Sequence, residues 1–363
     1  VIESFRETAI ENAAIYVLWG GLLIGAVFGF IVQRTNFCTM GSLSDILAFG
    51  DWRRFRSWLM AAAVAMLGVL AIETAGIGEM TNSMYVTPGL AWGGHVLGGL
   101  IFGFGMVFSG GCVSRNLVRA GSGDLRSMIV LWVVGGTAYM TIGGLFGPAR
   151  AAFVGATSAD LSGAGIADQR LGSVLSGLTG LAPGTAQTLA VAVVAGIILI
   201  WCLKDGGFRR SLPHMAAGIG IGLCVTAGWF LTAITFDEFA TNPTLASLSY
   251  VRPAGDTIDY LMRFTAYAAP GFAVTTTIGA LVGAFVGAIS QGRFHIATFS
   301  DPGDTMRNLL GAALMGIGGV LALGCTIGQA VTGVSTLALG SLITFACIVL
   351  GGFIGLKTME ATL

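Results

Sequence analysis

Charge is what this chain most lacks. Only 10% of its 363 residues are Asp, Glu, Lys or Arg, against about 25% in soluble domains. Acidic and basic residues balance at 18 each, so no basic field invites nucleic acid and no acidic tail stores cations. Histidines number three, and there is no Cys-x-x-Cys, no Cys/His pair at ligand spacing and no Met-rich run. The usual pattern of a metal centre is therefore missing, and nothing calls for a cofactor. The chain has no GxxxxGK[S/T] loop, so ATP-driven work would need another subunit. Ten-residue alternating strands are also absent, which excludes an outer-membrane barrel.

What is present is long apolar sequence. Hydrophobic residues make up 55% of the chain and mean hydropathy is +0.84. A spanning helix needs about 20 mostly apolar residues, and nine segments qualify: 14–32, 57–77, 93–108, 126–147, 185–203, 214–234, 270–290, 307–322 and 341–360. The third and eighth are short. The expected fold is an all-α polytopic membrane protein, with residues 1–363 forming a single membrane domain. Residues 1–12 carry three glutamates and do not resemble a cleavable signal. With nine spans and the N-terminus outside, thirteen Lys and Arg fall on the inner side and five on the outer. The positive-inside rule then sets the N-terminus outside and the C-terminus inside.

The chain repeats itself. Residues 97–112 match 310–325 at an offset of 213, which aligns the "GC" of "FSGGCVSRN" with that of "LALGCTIGQ". A second match, offset 258, pairs 21–42 with 279–300. These predict a pseudo-repeat with one half at about 14–147, connecting helices at about 185–234, and the other half at about 270–360. Units two and four then run in opposite directions while units one and three run parallel, and the 57–77 helix has no partner. Glycines recur every fourth position at Gly21, Gly25 and Gly29, and again at Gly279, Gly283 and Gly287, a spacing that lets helix backbones approach closely in lipid.

Four polar breaks interrupt the apolar runs: "QRTNFCTMGSLSD" at 33–45, "SGGCVSRN" at 109–116, "QGRFHIATFSD" at 291–301 and "LGCTIGQAVTG" at 323–333. Each is expected to lead into a short broken or re-entrant helix. Irregular backbone at membrane depth is tolerated only where protein or a water-filled path surrounds it, and paired interruptions point to a transporter's central site. Three breaks carry a cysteine, namely Cys38, Cys112 and Cys325, while the aligned position in the third is Ile296. Cys202, Cys224 and Cys347 lie in smooth apolar helices and read as small hydrophobes.

The residues leave several chemistries open for the three thiols. A Cys112–Cys325 disulfide, a three-sulfur Cu(I) site and a thiol enzyme relaying sulfur through persulfides are all conceivable, the last with His95 or His295 as base. Alternatively the thiols face a permeating solute. Short helices starting just after Cys38, Cys112 and Cys325 would aim their free N–H groups at the breaks, and a neutral thiol is a weak S–H donor. That set suits a soft, sulfur-bearing anion. Gly111 and Gly324 would let backbone approach it, Arg115 would draw it, and Gln33, Gln291 and Gln329 would offer amide donors. "DWRRFR" at 51–56 reads as a cytoplasmic anchor.

"FCTMGSLSD", "SGGCVSRNLVRAGSGDL" and "LGCTIGQAVTGVSTLALGS" resemble the YeeE/YedE family of bacterial sulphur-transport membrane proteins over nearly the whole chain. The resemblance implies a transporter, not an enzyme, in the bacterial inner membrane, taking up thiosulfate through a narrow central path. It also implies that Cys38, Cys112 and Cys325 hand the anion along by S–H···S hydrogen bonds. Some members of the family work with a small soluble sulfur-carrier protein of the inner side, so a cytoplasmic partner of that kind is expected.

Overall fold

The computed structural model describes residues 2–237, 245–299 and 301–362. In chain order its helices are α1 (Ile2–Glu11), α2 (Ala13–Thr35), α3 (Thr39–Phe49), α4 (Arg53–Thr74), α5 (Trp92–Phe108), α6 (Val113–Gly121), α7 (Leu125–Ile142), α8 (Gly147–Ala156), α9 (Leu171–Thr179), α10 (Pro183–Lys204), α11 (Gly206–Arg210), α12 (Leu212–Ile234), α13 (Val251–Met262), α14 (Phe272–Ile289), α15 (Pro302–Leu321) and α16 (Leu339–Thr362). Two residue pairs, β1 (Gly89–Leu90) and β2 (Ala159–Asp160), form a small antiparallel ribbon.

All nine apolar segments are helical, as α2, α4, α5, α7, α10, α12, α14, α15 and α16. Among the described residues eight spans are long and apolar enough to cross a membrane, two of them, 13–49 and 92–121, counted through the break into the short helix that follows. Helix α15 falls outside that set. Its N-terminal turns hold an Asp304–Arg307 ion pair, and it packs against α5 and α7. The protein is a multi-pass helical membrane protein.

The glycine stripes explain how the bundle closes. A Cβ on Gly25 or Gly29 would strike the backbone of Thr276 or Ala280, and one on Gly279 or Gly283 would strike Leu22 or Ala26. Contacts advancing together along both helices mean that α2 and α14 run parallel, so the two stripes are opposite sides of one seam. The same reading makes α5 and α15 antiparallel, since Gly94 and Gly98 meet residues 318–322 whereas Gly105 meets 311–315. Helices α2 and α12 are also antiparallel, with Gly20 on Leu231 and Gly220 on Ile31, while α4 and α12 run parallel, with Gly218 on Met60 and Gly68 on Thr226. At the "DWRRFR" stretch, Arg56 pairs with Asp205 and lies 4.6 Å from the Trp201 ring centre.

Helix ends at the breaks follow from local chemistry. Asn36 closes α2 in the left-handed region at φ 52°, which asparagine tolerates better than most residues. After α5, Gly110 and Gly111 take φ values of 68° and 149°, conformations that glycine adopts without a Cβ penalty. Three breaks lead into short helices as expected. The third does not, and among its described residues 291–299 and 301 no helix forms. There the chain runs as an extended strap across the start of α7, with the Leu125 N–H on the Ala297 carbonyl at 2.9 Å and the Ala297 N–H on that of Gly123 at 3.2 Å. Ile296, 73% exposed on this strap, is not the missing counterpart of a site cysteine. A second strap, Gln169 to Leu171, crosses the start of α16 through Leu339 N–H to Gln169 carbonyl at 2.9 Å and Leu171 N–H to Leu337 carbonyl at 3.0 Å.

The parallel seam yields a prediction. Gly283→Leu drives a side chain into the Ala26 carbonyl, and overpacking of this kind costs about 1–3 kcal/mol. Thermal unfolding in detergent will show a lowered midpoint for that variant. Gly136→Ala, where nothing lies within 4 Å of the added carbon, will unfold at or above the wild-type temperature.

Candidate functional site

Each of the three site cysteines occupies the position just before a short helix. Cys38 caps α3 with extended backbone, and its sulfur accepts the Gly41 N–H at 3.4 Å. Cys112 caps α6, with its sulfur 3.2 Å from the Ser114 hydroxyl. Cys325 precedes a helical stretch that widens to π geometry over Gly328–Gly333, and its sulfur accepts the Gly328 N–H at 3.3 Å. All three are buried and free of disulfides.

The helix starts bring the thiols together. Cys38 and Cys112 are neighbours. Cys112 is also close to the Thr326 hydroxyl, which belongs to the residue after Cys325. On its other side Cys325 lies beside the Tyr250 backbone, with the Ser249 hydroxyl 4.0 Å away. The order along this row is Cys38, Cys112, Cys325, Tyr250. Tyr250 is itself the residue before a short helix, α13. The fourth short helix of the site is thus α13 rather than anything in 291–301, and a tyrosine stands where a fourth cysteine was sought.

Behind the thiols, one hydrogen bond recurs in both breaks. Asn116 Nδ2 donates to the carbonyls of Gly111 at 2.9 Å, Cys112 at 3.2 Å and Ser109 at 3.5 Å. Gln329, 213 residues later, donates through Nε2 to the carbonyl of Ala322, the counterpart of Ser109. Both amides are fully buried, and both hold the end of the preceding helix in place. The turn itself repeats too, with Leu323 at φ 59° where Gly110 has 68°.

Several buried polar atoms at the row have no partner: the hydroxyls of Thr39, Thr326 and Tyr250, the Gln329 Oε1 and the Arg115 Nη1. The other terminal nitrogen of Arg115 reaches across to Asn36 Oδ1 at 3.0 Å, so this arginine of the second break is anchored on the first. Unpartnered buried groups are costly and single out a site that expects a ligand. Hydroxyls, a guanidinium and three helix starts make the row attractive to an anion. Among the described residues no group of three or more His, Cys, Asp or Glu sits at metal-holding spacing.

The remaining candidates lie further out. Gln33 stacks its stem on Gly287 at the end of the α2–α14 seam, and Gln291 occupies the turn after α14 with a buried, unpartnered Oε1. Gly324 lies against the Gln329 stem, and a Cβ there would be 3.2 Å from it. No histidine serves the thiols. His95 bonds Thr344 at 2.8 Å, His214 bonds Ser211, and His295 bonds the Arg293 carbonyl at 3.1 Å. Tyr250, Ser249 and Thr326 escaped the sequence reading because they carry no Gly-Cys signature. The repeated Cys-Thr pair at 38–39 and 325–326 was the available signal for the threonines.

Broken helices packed as a bundle, with thiols and unpaired donors converging at the breaks, define a polytopic membrane protein with a buried, anion-attracting thiol row. The chain belongs to the Sulphur transport family, whose model matches residues 34–354. It is 27% identical over 341 residues to a protein named thiosulfate transporter TsuA from Spirochaeta thermophila, covering 93% of this chain and 97% of that one. A protein of the same name from Escherichia coli is 29% identical over 342 residues, 86% of each.

Just beyond α6, Asp124 caps α7 and is shared by Arg119 at 2.6 Å and Arg126 at 3.2 Å. Burial opposes its ionised form, but the Arg126 and Arg119 guanidiniums outweigh that and hold the carboxyl below its ordinary range. A carboxyl depressed on folding contributes stability above the unfolded pKa, and the contribution is lost as pH falls through the folded value. Asp124→Asn will therefore unfold at a lower temperature than wild type at pH 7. The gap will narrow as the buffer is taken below about pH 4.

Proposed function

We propose that this chain takes up thiosulfate, or a closely related sulfur oxyanion, across the bacterial inner membrane by passing it along Cys38, Cys112 and Cys325. The observation that carries the reading is the row itself: three buried, neighbouring thiols, each at the start of a short helix. The names of the two relatives supply the substrate class. A dianion leaving water loses a large hydration energy. Helix N-termini, the free Arg115 Nη1 and the Thr39 and Thr326 hydroxyls offset part of it, with a single guanidinium charge against the two of the ion, too little to trap it. Neutral thiols add weak S–H donors matched to a soft sulfane sulfur, whereas thiolates would repel it. Permeation needs sites weak and numerous enough to release what they bind, and a row of such donors has that character.

In this reading Gly111 and Gly324 allow the backbone to turn beside the ion. Gln329, with its Nε2 on Ala322, offers only its free oxygen and acts chiefly by shaping the break. Gln33 and Gln291 line the approach at the α2–α14 seam. The N-terminus lies outside and the C-terminus in the cytoplasm, where a small sulfur-carrier protein collects the product. In this reading the chain is a transporter and not an enzyme; the persulfide alternative would need a base, and the bonds of the three histidines go to Thr344, Ser211 and the Arg293 carbonyl rather than to a site thiol. The repeat halves are best drawn as α2–α7 and α12–α16 rather than 14–147 and 270–360, because α2 and α12 are antiparallel, as α5 and α15 are, while α2 and α14 are parallel. Helix α4 then has α14 as its counterpart, and Cys38 has Tyr250.

Radiolabelled thiosulfate uptake into proteoliposomes tests the proposal. Cys112→Ala and Cys325→Ala are expected to lose at least about tenfold in rate, roughly 1.4 kcal/mol, with Cys→Ser variants intermediate because they keep a donor but lose sulfur softness. Wild-type rates in both alanine variants would sink the relay.

A further inference from the structure

Behind the Cys112 break, on the face rich in arginine, lies a cavity of about 230 Å³. Its wall joins Gly110 and Asn116 of the break to Arg119, Arg126, Arg307 and Asn308. We propose that this cavity is a second anion site, a vestibule that takes a small divalent oxyanion next to the thiol row but without using a thiol. The proposal rests on the transport reading for its place in the path, and its chemistry is independent of the cysteines.

Charge comes first. Three guanidiniums face two carboxylates: Asp124 is held by Arg119 at 2.6 Å and Arg126 at 3.2 Å, and Asp304 by Arg307 at 2.6 Å. One positive charge is left over. The carboxylates fix the guanidinium forks in position and occupy a minority of their N–H groups, since each guanidinium carries five. The Gly110 carbonyl takes one more from Arg119 at 3.3 Å. Donors remain for a tetrahedral oxyanion, and the space holds several waters at about 30 Å³ each, enough for the ion with part of its shell.

Exposure sets the strength. The three arginine side chains are 29%, 30% and 40% exposed, so solvent and salt screen them and binding is weak and exchangeable. That suits an ion in transit. Asn116 connects the two sites, because it lines the vestibule and also holds the Gly111 and Cys112 carbonyls that shape the thiol row. With no thiol in its wall, and with methionine thioethers that have no S–H to donate, the vestibule distinguishes charge and size but not a sulfane atom. Sulfate and thiosulfate should occupy it alike.

Isothermal titration of the full chain in nanodiscs at low salt, with sodium sulfate and sodium thiosulfate as probes, decides the matter. Wild type is expected to bind one sulfate and two thiosulfates. Arg307→Gln should weaken sulfate binding about tenfold, the scale of a charge-assisted hydrogen bond. Met359→Glu, which places a carboxylate in the same wall and cancels the surplus charge, should do the same. Unfolding midpoints of the ion-free variants check that they fold. Cys112→Ala should keep the sulfate site. Absence of sulfate binding in wild type, or unchanged affinity in both charge variants when folded, overturns the proposal. Failure of the transport reading is a separate result: sulfate binding intact, with no labelled thiosulfate uptake by the wild-type protein.

Discussion

A helix that stops inside a membrane frees carbonyls and N–H groups that neither lipid nor bulk water can satisfy. The architecture around the thiols answers that constraint. The buried amides of Asn116 and Gln329 take the freed carbonyls at the ends of α5 and α15. The sulfurs of Cys38 and Cys325 take an N–H from the first turn of the helix that follows each. The extended straps close the outer ends, one over α7 and the other over α16. Once these bonds are made, the hydroxyls of Thr39, Thr326 and Tyr250, the Gln329 oxygen and one Arg115 nitrogen stay unpaired around the breaks, alongside other unpaired buried groups elsewhere in the bundle. Those groups around the breaks are what the candidate site offers a ligand.

Close packing keeps those groups in register. Glycines along α2, α5, α14 and α15 let backbones meet with no side chain between them. In lipid, where apolar contact alone does not drive association, such proximity and its dispersion energy hold helices together. Seams of this kind leave little slack, so the four short helices start from well-defined positions. A thiol at the head of each of three of them is then positioned by backbone rather than by a flexible side chain.

The fourth helix start differs in chemistry but not in position. Tyr250 places its backbone beside Cys325 and its ring near Phe28, the ring centres 5.1 Å apart. A row that runs thiol, thiol, thiol, tyrosine is polar in the sense of having two unlike ends. Coupled to a face rich in arginine at one end of the bundle, it gives a permeating anion different surroundings at its start and its finish.

The sequence on its own determined the class, the nine helical segments, three of the four helix starts and the thiols at them. Hydropathy runs, glycine spacing and the repeated Gly-Cys dipeptide are local signals, and local signals survive without coordinates. It left open which segments pack together. The glycine stripes of α2 and α14 face each other across one parallel seam, and a similarity score alone does not tell packing partners from symmetry mates. It also sent the fourth helix start to Ile296, which lies on an exposed strap. Tyr250 was invisible because a backbone contact carries no side-chain signature. Which thiol faces which, where the histidines are bonded and which donors stay free depend on how the helices cross, and only the tertiary structure decides that, since those contacts join residues up to 249 positions apart.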